Sequence, residues 1–299
     1  MRIVVTGREG QVVRSLLERK SGTDLDIIAL GRPELDLAGS AQAIGAAVEA
    51  TQPDVIVSAA AYTQVDKAEV EPALAFAVNE NGPRSLARAA RSLGIPLIHL
   101  STDYVFDGSK DAPYMEEDPT GPTGVYGASK LAGEKAVLAE HDDSAVLRTA
   151  WVYSPFGANF VKTMLRLAAQ REEVAVVADQ RGNPSSAIDI ADAILRVASN
   201  LVRRDDPTQR GLFHMSAAGE ASWAEFAEEI FSLSAASGGP AARVRPIRTE
   251  DYPTAAKRPA NSRLNSDKLS RIHGVHLPEW RSSLKQVVER LLQQGREEV

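Results

Sequence analysis

The sequence has no cysteine, no excess of basic residues and no long apolar run. The missing cysteine excludes disulfides and thiolate metal sites and suits a reducing compartment. Lys and Arg total 34 against 40 Asp and Glu, so the basic surface that nucleic-acid binding requires is absent. No apolar run reaches the roughly 18 residues of a membrane helix, and charge follows the initiating methionine too soon for a signal peptide. We expect a soluble cytoplasmic protein that binds neither nucleic acid nor membrane.

The first half of the chain alternates short apolar runs with helical patterns. The runs cover residues 3–5, 26–30, 54–58, 96–101 and 145–149, and the helical patterns cover 10–20, 40–51, 72–93 and 125–140. Runs that are apolar at nearly every position are typical of parallel strands buried on both faces. The alternation therefore predicts an α/β fold with a doubly wound, Rossmann-type parallel sheet.

The rhythm is looser in the second half. Helices are predicted near 159–171, 188–201 and 223–233, and strands near 173–178, 212–215 and Val244. We interpret residues 1–150 as a dinucleotide-binding domain that includes a catalytic helix. Residues 151–299 are interpreted as a smaller C-terminal lobe, mainly substrate-binding and interleaved with the sheet. Trp223 and Trp280 are expected to pack this lobe.

A glycine turn follows the first strand. Gly7 and Gly10 allow a tight turn and let the backbone approach a pyrophosphate at the N-terminus of the next helix. The third glycine of the dinucleotide fingerprint is replaced by Val13, which we expect to push the helix slightly outward. Two glycines are a weak signal, and a plain strand-to-helix turn is the alternative.

The end of the second strand indicates which nicotinamide cofactor is used. An acidic residue there would bind the ribose 2′-hydroxyl of NAD, but the chain has Gly31 and Arg32. A guanidinium suits a 2′-phosphate by charge and by bidentate geometry. The pattern favours NADPH, with NADH as the second choice. A solvated arginine before Pro33 is the other interpretation.

Three polar residues indicate a ketone-reducing site. Thr102 follows the fourth strand, while Tyr126 and Lys130 are four apart and share one face of a predicted helix. A free phenol has a pKa of about 10, and a neighbouring ammonium favours the phenolate. Lowering that pKa by about 3 units takes roughly 4 kcal/mol. Because such a pair also arises by chance, the prediction depends on its combination with Thr102 and the glycine turn.

Several segments resemble those of one enzyme family. Residues 101–108 and the pattern Tyr126-Gly-x-Ser-Lys130-x-x-Gly-Glu134 are similar to the extended short-chain dehydrogenases. Within that superfamily, residues 59–69, 148–153 and 258–264 resemble the dTDP-4-dehydrorhamnose reductases, and the likeness runs from about residue 1 to 292. The resemblance implies an NADPH-dependent oxidoreductase that reduces the C4 keto group of dTDP-4-dehydro-L-rhamnose to give dTDP-L-rhamnose.

The resemblance also implies roles for individual residues. Tyr126 would donate a proton to the C4 oxygen, Lys130 would lower the tyrosine pKa and bind the nicotinamide ribose, and Thr102 would hydrogen-bond the keto oxygen. The cofactor pyrophosphate would meet Gly10, Gln11 and Val12, and its adenosine side would meet Asp36, Leu37, Ala61, Tyr62 and Thr63. The nucleotide-sugar would contact Thr102, Asp103 and Trp151, with Arg258 and Asn261 on its diphosphate side.

These motifs specify neither a metal site nor the oligomeric state. Family members that dimerise around Mg²⁺ use acidic ligands, whereas the matching places here are Ser15 and Ile188, with only Asp192 kept. We therefore expect no metal, and a monomer or a homodimer. Two alternatives remain. One is a non-catalytic NADP-binding regulatory subunit resembling the methionine adenosyltransferase beta subunit; the other is an NAD-retaining sugar-nucleotide epimerase or dehydratase.

Overall fold

A computed structural model describes residues 1–20, 24–203 and 206–297. Its strands run in chain order as follows: β1 Arg2–Thr6, β2 Asp26–Leu30, β3 Val55–Ser58, β4 Leu97–Thr102, β5 Ser144–Thr149, β6 Val152–Tyr153, β7 Glu173–Val177, β8 Arg181–Gly182, β9 Ser185–Ser186, β10 Gly211–His214, β11 Ala221–Ser222 and β12 Arg243–Ile247. Six of them form one parallel sheet in the order β10-β5-β4-β3-β1-β2. The predicted doubly wound α/β class is confirmed.

Helices cover both faces of this sheet. They are α1 Gln11–Arg19, α2 Ala41–Glu49, α3 Val65–Ala68, α4 Pro72–Phe76, α5 Gly82–Leu93, α6 Val125–Glu140, α7 Phe160–Ala168, α8 Ala187–Arg203, α9 Trp223–Ala236, α10 Asp267–His273 and α11 Trp280–Glu297. Within the described ranges, no helix is long and apolar enough to cross a membrane.

The two larger hydrophobic clusters lie on opposite sides of the sheet. Alternate residues of β1 show the division, because Ile3 and Val5 belong to one cluster and Val4 to the other. The larger cluster also contains Phe213 of β10 and Trp280 of α11. Residues from both halves of the chain therefore share one core, and the sixth strand of the sheet comes from the second half.

The helix predicted over residues 72–93 is divided in the structure. A π-helical turn at Ala77–Asn81 separates α4 from α5. It carries the buried Asn79, whose side-chain amide receives a hydrogen bond from Tyr62 N at 2.8 Å and donates to Ser129 Oγ at 3.0 Å. The turn thus connects the loop after β3 to α6, the helix that carries the predicted catalytic pair.

Candidate active site

A cleft of about 650 Å³ lies at the carboxyl ends of β1, β3, β4 and β5. Ligands bind at this edge in open parallel sheets. The predicted residues that line the cleft are Gly7, Gly10, Gln11, Val12, Ala61, Thr63, Thr102, Asp103, Tyr126, Lys130 and Trp151. The glycine turn and the helix α6, which carries the predicted catalytic pair, therefore share one cavity.

The glycine turn leaves helix amides available to an anion. Gly7 has φ +100°, and its amide donates to Leu30 O at 2.5 Å, which fixes the turn to the end of β2. A Cβ at Gly7 would lie 3.4 Å from both Ala60 Cβ and Val13 Cγ2. No side chain caps α1 at Gly10, so the first amides of the helix can bind a pyrophosphate. The local geometry fits a dinucleotide.

The backbone of Gln11 belongs to this turn, and its side chain contacts the segment after β6. Its Oε1 accepts hydrogen bonds from Ser154 Oγ at 2.8 Å and from Asn159 Nδ2 at 3.0 Å. These bonds hold the start of α1 against the segment that carries Gly157 and Ala158 on the cleft wall. Sequence patterns did not indicate this tie.

Lys130 and Tyr126 both lie in the cleft, but their protonation differs from the expectation. The buried Lys130 ammonium donates to Leu100 O at 2.7 Å; burial lowers its pKa to about 8, opposed by the nearby Glu134 carboxylate. Burial raises the pKa of Tyr126 to about 12, although a hydrogen bond with Thr102 lowers it. Burial of the phenolate and the Asp103 carboxylate both act against the lowering of this pKa that was expected from Lys130. Tyr126 is therefore protonated at neutral pH.

Asp103 is the acidic group beside this tyrosine. Its Oδ1 accepts a hydrogen bond from Thr102 Oγ1 at 2.9 Å, while its buried Oδ2 has no partner. Burial raises the pKa of Asp103 to about 6, and Ser262 and Thr102 act in the opposite direction. Asp103 lines the cleft next to Thr102, so its carboxyl group is a candidate for contacting a ligand there.

A buried ion pair supports the catalytic helix. Glu134 receives two hydrogen bonds from Arg148, at 2.8 and 2.7 Å, and a third from Ser101 Oγ at 2.5 Å. The pair joins α6, β5 and the end of β4. This role of Glu134 was not predicted, although Glu134 lies one turn beyond Lys130 on the same helix face.

Trp151 and Trp223 form one wall of the cleft. Their rings are stacked with centroids 3.5 Å apart and an interplanar angle of 4°. Trp151 has φ +47° and donates from Nε1 to Ser262 Oγ at 3.1 Å. Gly182 makes room for it, because a Cβ there would lie 2.3 Å from the indole. Trp223 was expected only to pack the lobe, and it lines the cleft as well.

Six predicted residues do not line the cleft. They are Arg32, Asp36, Leu37, Tyr62, Arg258 and Asn261. Arg32 and Asp36 are exposed and Leu37 is buried. The Tyr62 hydroxyl donates to Glu71 at 2.7 Å, and Arg258 forms an ion pair with Asp66 at 2.6 Å. Asn261 Nδ2 donates to the carbonyls of Lys110 and Ala112, at 2.5 and 2.9 Å, so its side chain fastens a loop.

Asp192, the acidic residue kept at the expected metal position, forms an ion pair. Asp192 receives two hydrogen bonds from Arg19, at 2.7 and 2.9 Å. Among the residues described, no group of three or more His, Asp or Glu side chains is arranged to hold a metal ion.

A Rossmann-type sheet with Tyr126 and Lys130 beside a glycine turn defines a short-chain dehydrogenase/reductase. The chain belongs to the RmlD family, since the model of the RmlD substrate binding domain matches residues 1–293. It is 50% identical over 297 residues to a dTDP-4-dehydrorhamnose reductase of Sinorhizobium fredii, covering 99% of this chain and 100% of the relative.

Solved structures of similar proteins have the same fold. A dTDP-4-dehydrorhamnose reductase of Clostridium acetobutylicum superposes with a TM-score of 0.90 at 38% identity, covering 98% of this chain and 100% of that one. A dTDP-4-dehydrorhamnose reductase of Bacillus anthracis, solved in complex with NADP, gives a TM-score of 0.88 at 36% identity, covering 96% and 98%.

Proposed function

We propose that this chain reduces the C4 keto group of dTDP-4-dehydro-L-rhamnose with NADPH to give dTDP-L-rhamnose. The observation that carries the proposal is the shared cleft, where Thr102, Tyr126 and Lys130 lie on the same cavity as Gly7 and Gly10. The names of the family members and the NADP complex of one of them support the choice of substrate and cofactor.

The protein's residues handle the proton and orient the ketone. NADPH, when bound, supplies a hydride to C4. The protonated Tyr126 donates its hydroxyl proton to the C4 oxygen, so that one hydride and one proton convert C=O to CH–OH. The Thr102 hydroxyl exchanges its hydrogen bond with Asp103 for one donated to the keto oxygen, and the Lys130 ammonium stabilises the tyrosinate left behind.

Binding roles follow from the side of the cleft on which each residue lies. We assign the pyrophosphate to the amides of Gly10, Gln11 and Val12 and the adenosine side to Ala61 and Thr63, with Arg32, Asp36, Leu37 and Tyr62 beyond the cleft edge. Asp103 and Trp151 would contact the sugar nucleotide. Arg258 stays a candidate for the diphosphate, while the hydrogen bonds of Asn261 favour a supporting role.

We also propose that the protein is cytoplasmic and is a monomer or a homodimer. Light scattering on the purified chain distinguishes the two oligomeric states.

Replacing Tyr126 with phenylalanine tests the proposed proton donor. Purified protein should oxidise NADPH only when dTDP-4-dehydro-L-rhamnose is present. Tyr126→Phe should lower kcat by roughly 10²–10⁴-fold, because a positioned acid contributes about that factor. The matched control is Tyr252→Phe, a tyrosine that is 60% exposed and outside the cleft lining, and it should keep full activity. Wild-type activity in Tyr126→Phe would contradict the assignment.

A further inference from the structure

Three charged residues lie close to Gly31, the residue after β2, in the chain or in space. They are Arg8 from the glycine turn and Arg32 and Glu34 from the loop after the strand. A Cβ at Gly31 would lie 3.0 Å from Arg8 Cγ and 3.5 Å from its Cδ. The side chain of Arg8 therefore packs against Gly31, the residue that follows the second strand.

Arg8 and Glu34 form an ion pair across this point. Their side chains are 45% and 53% exposed, so the pair is weak and its partners can exchange for a ligand. The pKa of Glu34 is lowered, first by a hydrogen bond from its own backbone amide and then by Arg8, so the carboxylate is charged at neutral pH. The three side chains together carry a net charge of +1.

We propose that Arg8, together with Arg32, recognises the 2′-phosphate of NADPH and that Glu34 limits the strength of this recognition. The inference rests on the proposed function, because the end of the second strand is where dinucleotide folds read the adenosine 2′ position. A phosphate accepts charge-assisted hydrogen bonds from both guanidinium groups. The phosphate thereby replaces Glu34 as the partner of Arg8. The Glu34 carboxylate then lies near the phosphate, and the two negative charges repel each other.

The two members of the ion pair should consequently affect phosphate binding in opposite directions. Loss of Arg8 removes a cation that contacts the phosphate. Loss of the charge on Glu34 frees Arg8 and removes a repulsion. If the pair served only to hold the loop to the glycine turn, both substitutions would instead weaken nucleotide binding together.

Calorimetric titration with 2′,5′-ADP and with 5′-AMP isolates the 2′-phosphate without any turnover. Arg8→Gln should weaken 2′,5′-ADP binding about tenfold or more, the range of a lost charged hydrogen bond, and leave 5′-AMP within about twofold. Glu34→Gln should tighten 2′,5′-ADP about threefold, again with little change for 5′-AMP. Both effects should shrink at higher salt, since the groups are exposed.

The matched control is Arg88→Gln, which breaks a similar exposed Arg–Glu pair, with Glu140, away from the cleft lining. It should change the affinity for neither 2′,5′-ADP nor 5′-AMP.

The proposal is overturned if Arg8→Gln and Glu34→Gln shift 2′,5′-ADP binding in the same direction. It is also overturned if 5′-AMP binding changes as much as that of 2′,5′-ADP, or if Arg8→Gln has no effect. Those results would leave the reductase assay unaffected, so failure of this inference and failure of the proposed function are separable.

Discussion

At the residue scale, the protonation of Lys130 governs the proposed chemistry. Tyr126 has a pKa of about 12 and stays protonated over the working range, so it does not limit the reaction at alkaline pH. Lys130 has a pKa of about 8, because its ammonium is buried. The ammonium is present below that pH and is lost above it, and only the charged form can stabilise tyrosinate.

We therefore predict that kcat/KM for the sugar nucleotide, at saturating NADPH, falls as pH rises through about 8. The limiting slope should be about tenfold per pH unit. Lys130→Met should have a much lower kcat/KM. Its kcat/KM should also not decline above pH 8, because the titrating group is gone. A wild-type profile that stays flat to pH 10, or a decline that persists in Lys130→Met, would show that another group controls the reaction.

The sequence predicted which residues meet in the cleft better than it predicted their electrostatics. Thr102, Tyr126 and Lys130 were recognisable from spacing and strand position, because helix periodicity and strand ends place them without further information. The pKa of Tyr126 depends on desolvation and on Asp103, which only the packed structure reveals. For the same reason, the exposed Arg32 was recognised as a candidate while Arg8, which folds back over Gly31, was not.

At the element scale, two glycines allow α6 to pack closely against its neighbours. A Cβ at Gly127 would lie 2.1 Å from Tyr104 O, and one at Gly133 would lie 2.1 Å from Asn79 O. Both contacts are with backbone, so neither neighbour can rotate away. The position of α6, and with it Tyr126 and Lys130, depends on this close approach.

Gly133→Ala should accordingly destabilise the protein by about 1–3 kcal/mol, the range of overpacked cores. Gly45→Ala is the matched control, because nothing lies within 4 Å of a Cβ there and the residue is inside α2. It should be neutral or stabilising by about 0.5–1 kcal/mol, since alanine favours helix. Urea unfolding measures both. Equal stability of the two variants would mean that α6 is not closely seated.

The elements that the sequence predicted poorly are those set by tertiary contacts. The strands β1 to β5 followed from their apolar runs, and α6 was predicted with its observed bounds. The π turn at Ala77–Asn81 carries no local signal, since the buried partners of Asn79 define it. The helix α11 was not predicted, although Leu284, Val287 and Val288 recur at helical spacing and are buried.

At the scale of the whole molecule, the two halves of the chain build one site. The first half supplies the glycine turn and the catalytic helix, and the second supplies Trp151, Gly157 and Trp223 on the opposite wall. The sheet itself includes β10 from the second half. The division at residue 150 stays a prediction about function, and the second half was already expected to interleave with the sheet. The proposed reduction of the sugar nucleotide would take place in the cleft that both halves line.

Transfer of label from cofactor to sugar tests this central claim most directly. The purified protein is given NADPH that carries deuterium at the transferable position, together with dTDP-4-dehydro-L-rhamnose, and the product is analysed by NMR. We predict dTDP-L-rhamnose with deuterium bound to C4, formed in step with NADPH oxidation. A product without deuterium at C4, or no product while the protein is folded and binds NADPH, would contradict the account.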